Sequence, residues 1–407
     1  MKKVLIISHA MEIGGAEKAL LGLLNSFDYN NYRVDLFLCR HEGELFDQIP
    51  KQVNVLPATK AKFLAIPMIN LLKQNEFKIL YGRLKAKIRA RKTVKRLGLK
   101  TDNQVDYIYS HKYTYKYFEF INPEIEYDLA ISFLTPHYIC LNKCNARKRI
   151  AWIHTDYSTI DLDIETELDM WDNYDYIASI SKNCTDAFLL KFPTLKNKII
   201  RIDNIILENM IVKQANLFDV SNEMNFRGIK LLSVGRLTYA KNFDNVPDVC
   251  KKILESGLDI KWYIIGYGQR EQEIINKIQE YNMQERIIML GKKENPYPYI
   301  KACDIYIQPS RYEGKAVTVR EAQILCKPVV ITNFPTARSQ LVDGLDGIIV
   351  PLDNEKCAEG IIDFINNSFL QNKIVDYLKK HNYSNSEEIE KIYNLIDEIY
   401  MEEYTNE

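Results

Sequence analysis

Residues 309–325, PSRYEGKAVTVREAQIL, constrain this chain more than any other stretch. A strand pattern at 304–308 runs into Pro309-Ser310, Gly314 punctuates a turn, and 316–325 has helix-like content with Val317, Ala322 and Leu325 as inward positions. Strand, glycine turn and helix in that order fit the carboxyl edge of an α/β sheet. The first turn of such a helix leaves backbone donors unsatisfied and carries partial positive charge. The N–H groups of 315–318, among them Lys315 and Ala316, are therefore expected to bind phosphate. Glu321 sits in that turn and suits a vicinal diol such as a ribose, and Glu313 on the loop suits a second polyol lying across the phosphates.

Glu313-Gly314 followed by Glu321-Ala322 resembles the E-x7-E signature of retaining glycosyltransferases of the GT-B fold, most of all glycosyltransferase family 4. Two glutamates eight apart also fit a solvated loop and helix, so the reading leans on the rest of the chain. The likeness covers nearly all of it and is strongest over 230–351. It implies an α/β GT-B architecture, two Rossmann-like doubly wound domains facing across a cleft. It also implies a nucleoside-diphosphate sugar as donor, a UDP-sugar before others, and no cofactor. Arg236 and Lys241, after the strand pattern LLSVGRL, match the family's R-x4-K pair that clamps the donor diphosphate. The residue types suit that task, because negative charge grows on the leaving phosphate and fixed cations favour it over the ground state. With no metal motif, these cations and the helix start are expected to do the work of magnesium.

The resemblance further places Lys292 where relatives bind the nucleotide base, and Gly15, with Gly14 and Ala16, by the donor phosphates or acceptor. His154, in AWIHTDY, follows a buried apolar run and should emerge at the carboxyl end of a strand. It matches the family's histidine near donor sugar and acceptor. Plainer readings stand beside these: a tight turn at Gly14-Gly15, two ordinary bases after a strand, a structural histidine capped by Asp156. Lys315 departs from relatives, many of which are apolar or aromatic there. An ammonium at that position suits phosphate or an anionic sugar.

With 407 residues and 46% hydrophobic content the chain is long enough for two cores. The expected boundaries are 1–205 for an acceptor domain, 206–227 for a polar linker, 228–380 for a donor domain and 381–407 for a terminal helix. In the family that helix returns to the first domain. Strands are expected at 4–7, 33–39, 53–56, 128–133, 149–154, 176–181 and 199–203, then at 229–235, 260–265, 287–291, 304–308, 328–331 and 347–350. A helix is expected over 17–26. G-x-G at 266–268 reads as a tight turn, not a cofactor loop.

Residues 77–100 hold ten lysines and arginines and no acid, Arg83, Lys87, Arg91 and Lys95 among them, with Leu80, Leu84 and Ile88 at helical spacing. Such a helix suits an anionic membrane surface. The alternative is a solvated helix packed by that apolar stripe. Nucleic acid is disfavoured, since neither recognition motif nor aromatic platform accompanies the charge. Net charge is zero, so no global field favours a polyanion. The basic segment points to a saccharide acceptor on a lipid carrier, in envelope polysaccharide or glycolipid synthesis.

Eight scattered cysteines without a C-x2-C pair fit reduced thiols, and Cys140, Cys144 and His137 lack a partner set for zinc. The start MKKVLIISHA is too short in apolar residues for a signal core, and no run approaches the ~20 residues of a membrane span. A cytoplasmic protein, at most peripheral on the inner face of the membrane, is expected. Three other functions compete. A nicotinamide oxidoreductase lacks the G-x-G-x-x-G fingerprint, a non-catalytic sugar-nucleotide binder would lose the clamp, and a nonhydrolysing sugar epimerase of the same fold differs in its product.

Overall fold

The computed structural model describes residues 1–99, 104–134, 137–155, 157–158, 160–314 and 316–406, the last five through the helix backbone alone. Asp156 and Lys315, singled out above, and Lys100, the last of the ten bases of 77–100, lie outside the described residues. The chain divides into two compact units, Met1–Ile205 with Ser386–Glu407, and Ile206–Asn385.

The first unit is built on a parallel sheet of β1 (Lys2–Ser8), β2 (Tyr32–Leu38), β3 (Asn54–Val55), β4 (Glu126–Ser132), β5 (Asn145–Ile153), β6 (Tyr176–Ser179) and β7 (Ile199–Arg201), in the order β3-β2-β1-β4-β5-β6-β7. Val4, Leu5, Ile6 and Ile7 are all fully buried. An unbroken apolar run is what a parallel strand covered on both faces requires. The second unit repeats the plan with β8 (Ile229–Val234), β9 (Ile260–Ile265), β10 (Ile287–Gly291), β11 (Ile305–Gln308), β12 (Val329–Thr332) and β13 (Ile348–Val350), in the order β10-β9-β8-β11-β12-β13. Alternate residues feed two cores. Leu231, Ile264 and Ile305 enter one, and Leu232, Tyr263 and Tyr306 the other.

Residues 206–227, expected as linker, are largely part of the second unit. They form a helix, Glu208–Ala215, whose Ile211 and Ala215 join Val220 and Met224 in a core. Asparagines and charges on its outer side made it read as loose. The terminal helix Ile389–Asn406 belongs to the first unit. There Tyr393 stacks on Tyr32 at 4.3 Å between centroids, Tyr400 donates to Asp128 at 2.7 Å and Asp397 pairs with Lys2.

The basic segment is a helix, Phe77–Leu97, but its inward face is not the one expected. Ile79, Gly82, Ala86, Ala90 and Thr93 are buried, whereas Leu84 and Ile88 are exposed and Leu80 half-buried. Small residues let the helix lie close on Val105–Thr114: a Cβ at Gly82 would stand 2.7 Å from the Tyr113 carbonyl oxygen.

Candidate active site

In an open parallel sheet, ligands bind beyond the carboxyl ends of the strands where the strand order reverses, because the loops there part in opposite directions. In the second unit that point lies between β8 and β11. Arg236 and Lys241 follow β8, and Glu313, Gly314 and the helix Val317–Ile324 follow β11. Residues some seventy positions apart in sequence thus share one edge.

Lys241 closes the short turn Tyr239–Lys241, and Asn242 behind it takes the left-handed conformation, φ 61°. The lysine stem lies over Gly235, where an added Cβ would come within 3.2 Å of its carbons. Its ammonium reaches Glu313 Oε1 at 2.5 Å. The same oxygen accepts from Ser310 Oγ at 2.5 Å and Gln308 Nε2 at 3.3 Å. Gln308, fully buried at the end of β11, is itself oriented: its Oε1 accepts from the Tyr306 hydroxyl at 2.8 Å and Thr318 Oγ1 at 3.1 Å, which directs its amide nitrogen to Ser310 and Glu313. Arg236, on the same loop after β8, is exposed.

A second network joins the two loops from behind. Arg311 forks onto Asp244 at 2.9 and 2.7 Å, and its backbone N–H and guanidinium donate to the Ala240 and Tyr239 carbonyls, each at 2.7 Å. Arg270 meets the same carboxylate at 3.2 Å. Burial alone would raise the Asp244 pKa; Arg311 and Arg270 more than offset that and hold it below the ordinary value. The glycines of G-x-G serve close approach here, since a Cβ at Gly266 would fall 1.9 Å from the Gly235 carbonyl oxygen.

The helix start is partly occupied. The Ala316 N–H, expected to face phosphate, donates instead to Gln340 Oε1 at 2.9 Å; the remaining donors of that first turn belong to Val317 and Thr318. Glu321 is 1% exposed and its Oε1 accepts from Tyr297 at 2.8 Å. The tyrosine pKa is pushed well up, by burial first and then by that carboxylate. Lys292, after β10, is exposed, with its ammonium 4.7 Å above the Tyr267 ring centroid.

In the first unit the strand order reverses between β1 and β4. His9, His137 and His154 follow the ends of β1, β4 and β5, and buried His111 joins them from the Val105–Thr114 helix. Sequence reasoning placed only His154 at the cleft, and weighed His137 only as a zinc ligand. Both its ring nitrogens are buried, without a hydrogen-bond partner among the described residues beyond a weak approach to the Phe133 backbone. Its ring packs on Phe133 at 4.5 Å. Burial lowers its pKa to about 3, and burial then His154 lower that of His137 to about 3, with His137 Nδ1 2.8 Å from Ser132 Oγ. Glu167 is buried against the Trp171 indole N–H at 3.1 Å, and burial raises its carboxyl to about 7. Gly15 begins the helix Gly15–Ser26; a side chain there would enter open space, and neither it nor Gly14 has a positive φ. Backbone conformation therefore does not account for the glycine pair.

Gln308, Ser310, Tyr297, Gln340 and Asp244 were missed by sequence reasoning. Only the glutamine that ends an apolar strand gave a signal. Among the described residues no three His, Cys, Asp or Glu side chains converge to hold a metal ion.

Residues 219–381 match the family described as Glycosyl transferases group 1. The chain is 24% identical over 365 residues to a Campylobacter jejuni N-acetylgalactosamine-N,N'-diacetylbacillosaminyl-diphospho-undecaprenol 4-alpha-N-acetylgalactosaminyltransferase, covering 87% of each chain. Its fold is similar to that of a glycosyltransferase from Rickettsia africae, with TM-score 0.67, 15% identity and 98% of each chain covered. It is also similar to Anabaena HepE in complex with UDP and glucose, with TM-score 0.63, 15% identity, and 93% of this chain and 94% of that one covered. Two parallel-sheet units and these likenesses give the GT-B fold, and the group 1 match over residues 219–381, with the Campylobacter relative, supports a glycosyltransferase.

Proposed function

We propose that this chain is a retaining glycosyltransferase of family 4 that transfers a sugar from a nucleoside-diphosphate sugar, with UDP the carrier best supported, to a lipid-linked saccharide in envelope polysaccharide or glycolipid synthesis. The observation that carries this reading is the convergence of Arg236, Lys241, Glu313 and the start of the Val317–Ile324 helix on the switch point of the second sheet. Cations, a helix terminus and an oriented carboxylate are what a sugar diphosphate demands. UDP is favoured because the similar Anabaena structure holds UDP and glucose. The lipid-linked acceptor follows the name of the Campylobacter relative, whose alpha linkage is also what retention from an alpha-linked donor yields.

In the proposed reaction the bond from the anomeric carbon to the diphosphate oxygen breaks, and the acceptor oxygen bonds to that carbon on the same face. The acceptor proton passes to the departing phosphate oxygen. Arg236 and Lys241, with the N–H groups of Val317 and Thr318, stabilise the charge released, Glu313 with Gly314 holds the sugar, Glu321 the ribose, and Lys292 lies by the base. His154 and Gly15 act toward the donor sugar and acceptor. No metal takes part. A lipid-linked acceptor sets the protein on the cytoplasmic face of a membrane; no described helix is long and apolar enough to cross one.

A thermal-shift panel of UDP, GDP, ADP, NAD and several UDP-sugars tests the donor class. A ligand at 100 times its dissociation constant adds about 2.7 kcal/mol to the folded state. UDP and its sugars are expected to raise Tm, and Glu321→Ala to abolish the rise. Stabilisation by NAD alone overturns the reading, and product analysis with a stabilising UDP-sugar separates transfer from epimerisation.

A further inference from the structure

The outer face of the Phe77–Leu97 helix carries a row of large apolar side chains with no cover among the described residues. Phe77 is 59% exposed, Tyr81 60%, Leu84 45% and Ile88 57%; at 100° per residue these four fall within a narrow sector, opposite the buried Ile79, Gly82, Ala86 and Ala90. Ile69 and Leu72, on the preceding helix Met68–Lys73, add two more exposed apolar groups, 58% and 46%. Lysines and arginines flank the row. Lys78, Lys87, Arg89, Arg91, Lys92, Lys95 and Arg96 are exposed, and no acid lies within the helix. Arg83 is set apart from them, because its guanidinium donates to the Ile66 carbonyl and is tied to the segment before the helix. A water-facing helix would put charge, not four large apolar groups, along its outermost line.

The geometry points to this face as a membrane-docking surface, with Phe77, Tyr81, Leu84 and Ile88 inserted among the acyl chains of an anionic bilayer and the flanking bases on its headgroups. Charge selects this occupant. A second copy would set the two sets of flanking bases against each other with no acid between them, and a nucleic acid would engage the bases but not the apolar row between them. Apolar side chains between long basic ones meet both layers of a bilayer surface, since lysine and arginine stems run along the apolar row while their heads stay at the phosphates. The proposed acceptor class gives the surface its purpose, but binding is measurable without turnover.

Flotation of the full chain on phosphatidylcholine vesicles, with and without phosphatidylglycerol, tests it at 0.15 and 0.5 M salt. Recovery is expected on anionic vesicles, with a residue surviving at high salt where charge alone is screened. Tyr81→Ser with Leu84→Ser and Ile88→Ser should lower recovery about tenfold or more with Tm unchanged, the side chains being exposed. Lys87→Gln with Lys92→Gln and Lys95→Gln should lower it and flatten its dependence on anionic lipid. Equal recovery on neutral and anionic vesicles, or undiminished recovery of the apolar variant, overturns the proposal. So does a shift of the apolar variant from dimer to monomer in sedimentation without loss of flotation, which assigns the row to a second copy. A protein that floats but transfers no sugar removes the proposed function and leaves the surface standing; one that transfers but does not float does the reverse.

Discussion

Glu313 accepts three donors on one oxygen: an ammonium from the loop after β8, and a carboxamide and a hydroxyl from the end of β11 and the loop that follows it. The charge-assisted bond to Lys241 is the strongest of these, and the only one a diphosphate would compete for. When phosphate draws Lys241 away, Ser310 and Gln308 keep the carboxylate in place, so the ion pair stores the clamp without collapsing it. Lys241→Met should therefore lower kcat/KM for the UDP-sugar about 10²- to 10³-fold, the size of effect expected for losing one preorganised group at a developing charge. Steady-state kinetics decide it, and an unchanged kcat/KM takes Lys241 out of the site. Arg236, Lys241, Glu313 and Glu321 were legible because they fall in short motifs of fixed spacing that resemble a known family's, whereas Asp244 belongs to no such motif. Gln308, Ser310 and Gln340 were not, since a polar side chain shows its role only when its neighbours' directions are known.

Among elements, the Phe77–Leu97 helix shows where periodicity misleads. Its sequence carries two apolar rows, one large at Leu84 and Ile88, one small at Gly82, Ala86 and Ala90, and the small one packs. Size is a poor guide when two helices cross closely, because bulk holds backbones apart. Gly82→Ala separates the two effects by sign. Helix propensity alone would make it stabilising by about 1 kcal/mol. The contact of 2.7 Å with a backbone carbonyl, which cannot rotate away, makes it destabilising by roughly 1–3 kcal/mol instead. A fall in Tm is expected, and a rise would show that the helix pair yields. The strands were read more easily, being apolar runs bounded by glycine, proline and charge, although their ends shift by a residue or two and β5 begins four residues earlier than expected. The Glu208–Ala215 helix was missed because only Ile211 and Ala215 of its residues are buried.

Across the whole molecule, the buried histidines and the buried carboxyl shifted most strongly by burial lie in the first unit, so the sign of its pH dependence below pH 8 can be worked out. His137 and His154 fall to about 3 in the folded state from 6.5, so their contribution is complete above pH 6.5 and is lost as pH drops toward 3. Glu167 runs the other way: raised from 4.5 to about 7, chiefly by burial, its contribution is complete below pH 4.5 and is lost as pH rises through 7. Between those limits the one carboxyl partly offsets the two imidazoles. Three acids stand in the Ile164–Asp172 helix before Trp171, and no sequence pattern tells which of them turns inward. Glu167→Gln keeps an acceptor for the Trp171 N–H without the ionisation. At pH 8 the wild type must bury a charge that the variant lacks, whereas at pH 5 the folded carboxyl is already neutral. The variant's advantage should thus be about 2–3 kcal/mol larger at pH 8 than at pH 5, or roughly 5–10 °C in the melting of this unit. Melts of the two proteins at both pH values measure it, and an equal difference at each would mean that Glu167 is ionised in the folded protein and that water reaches it.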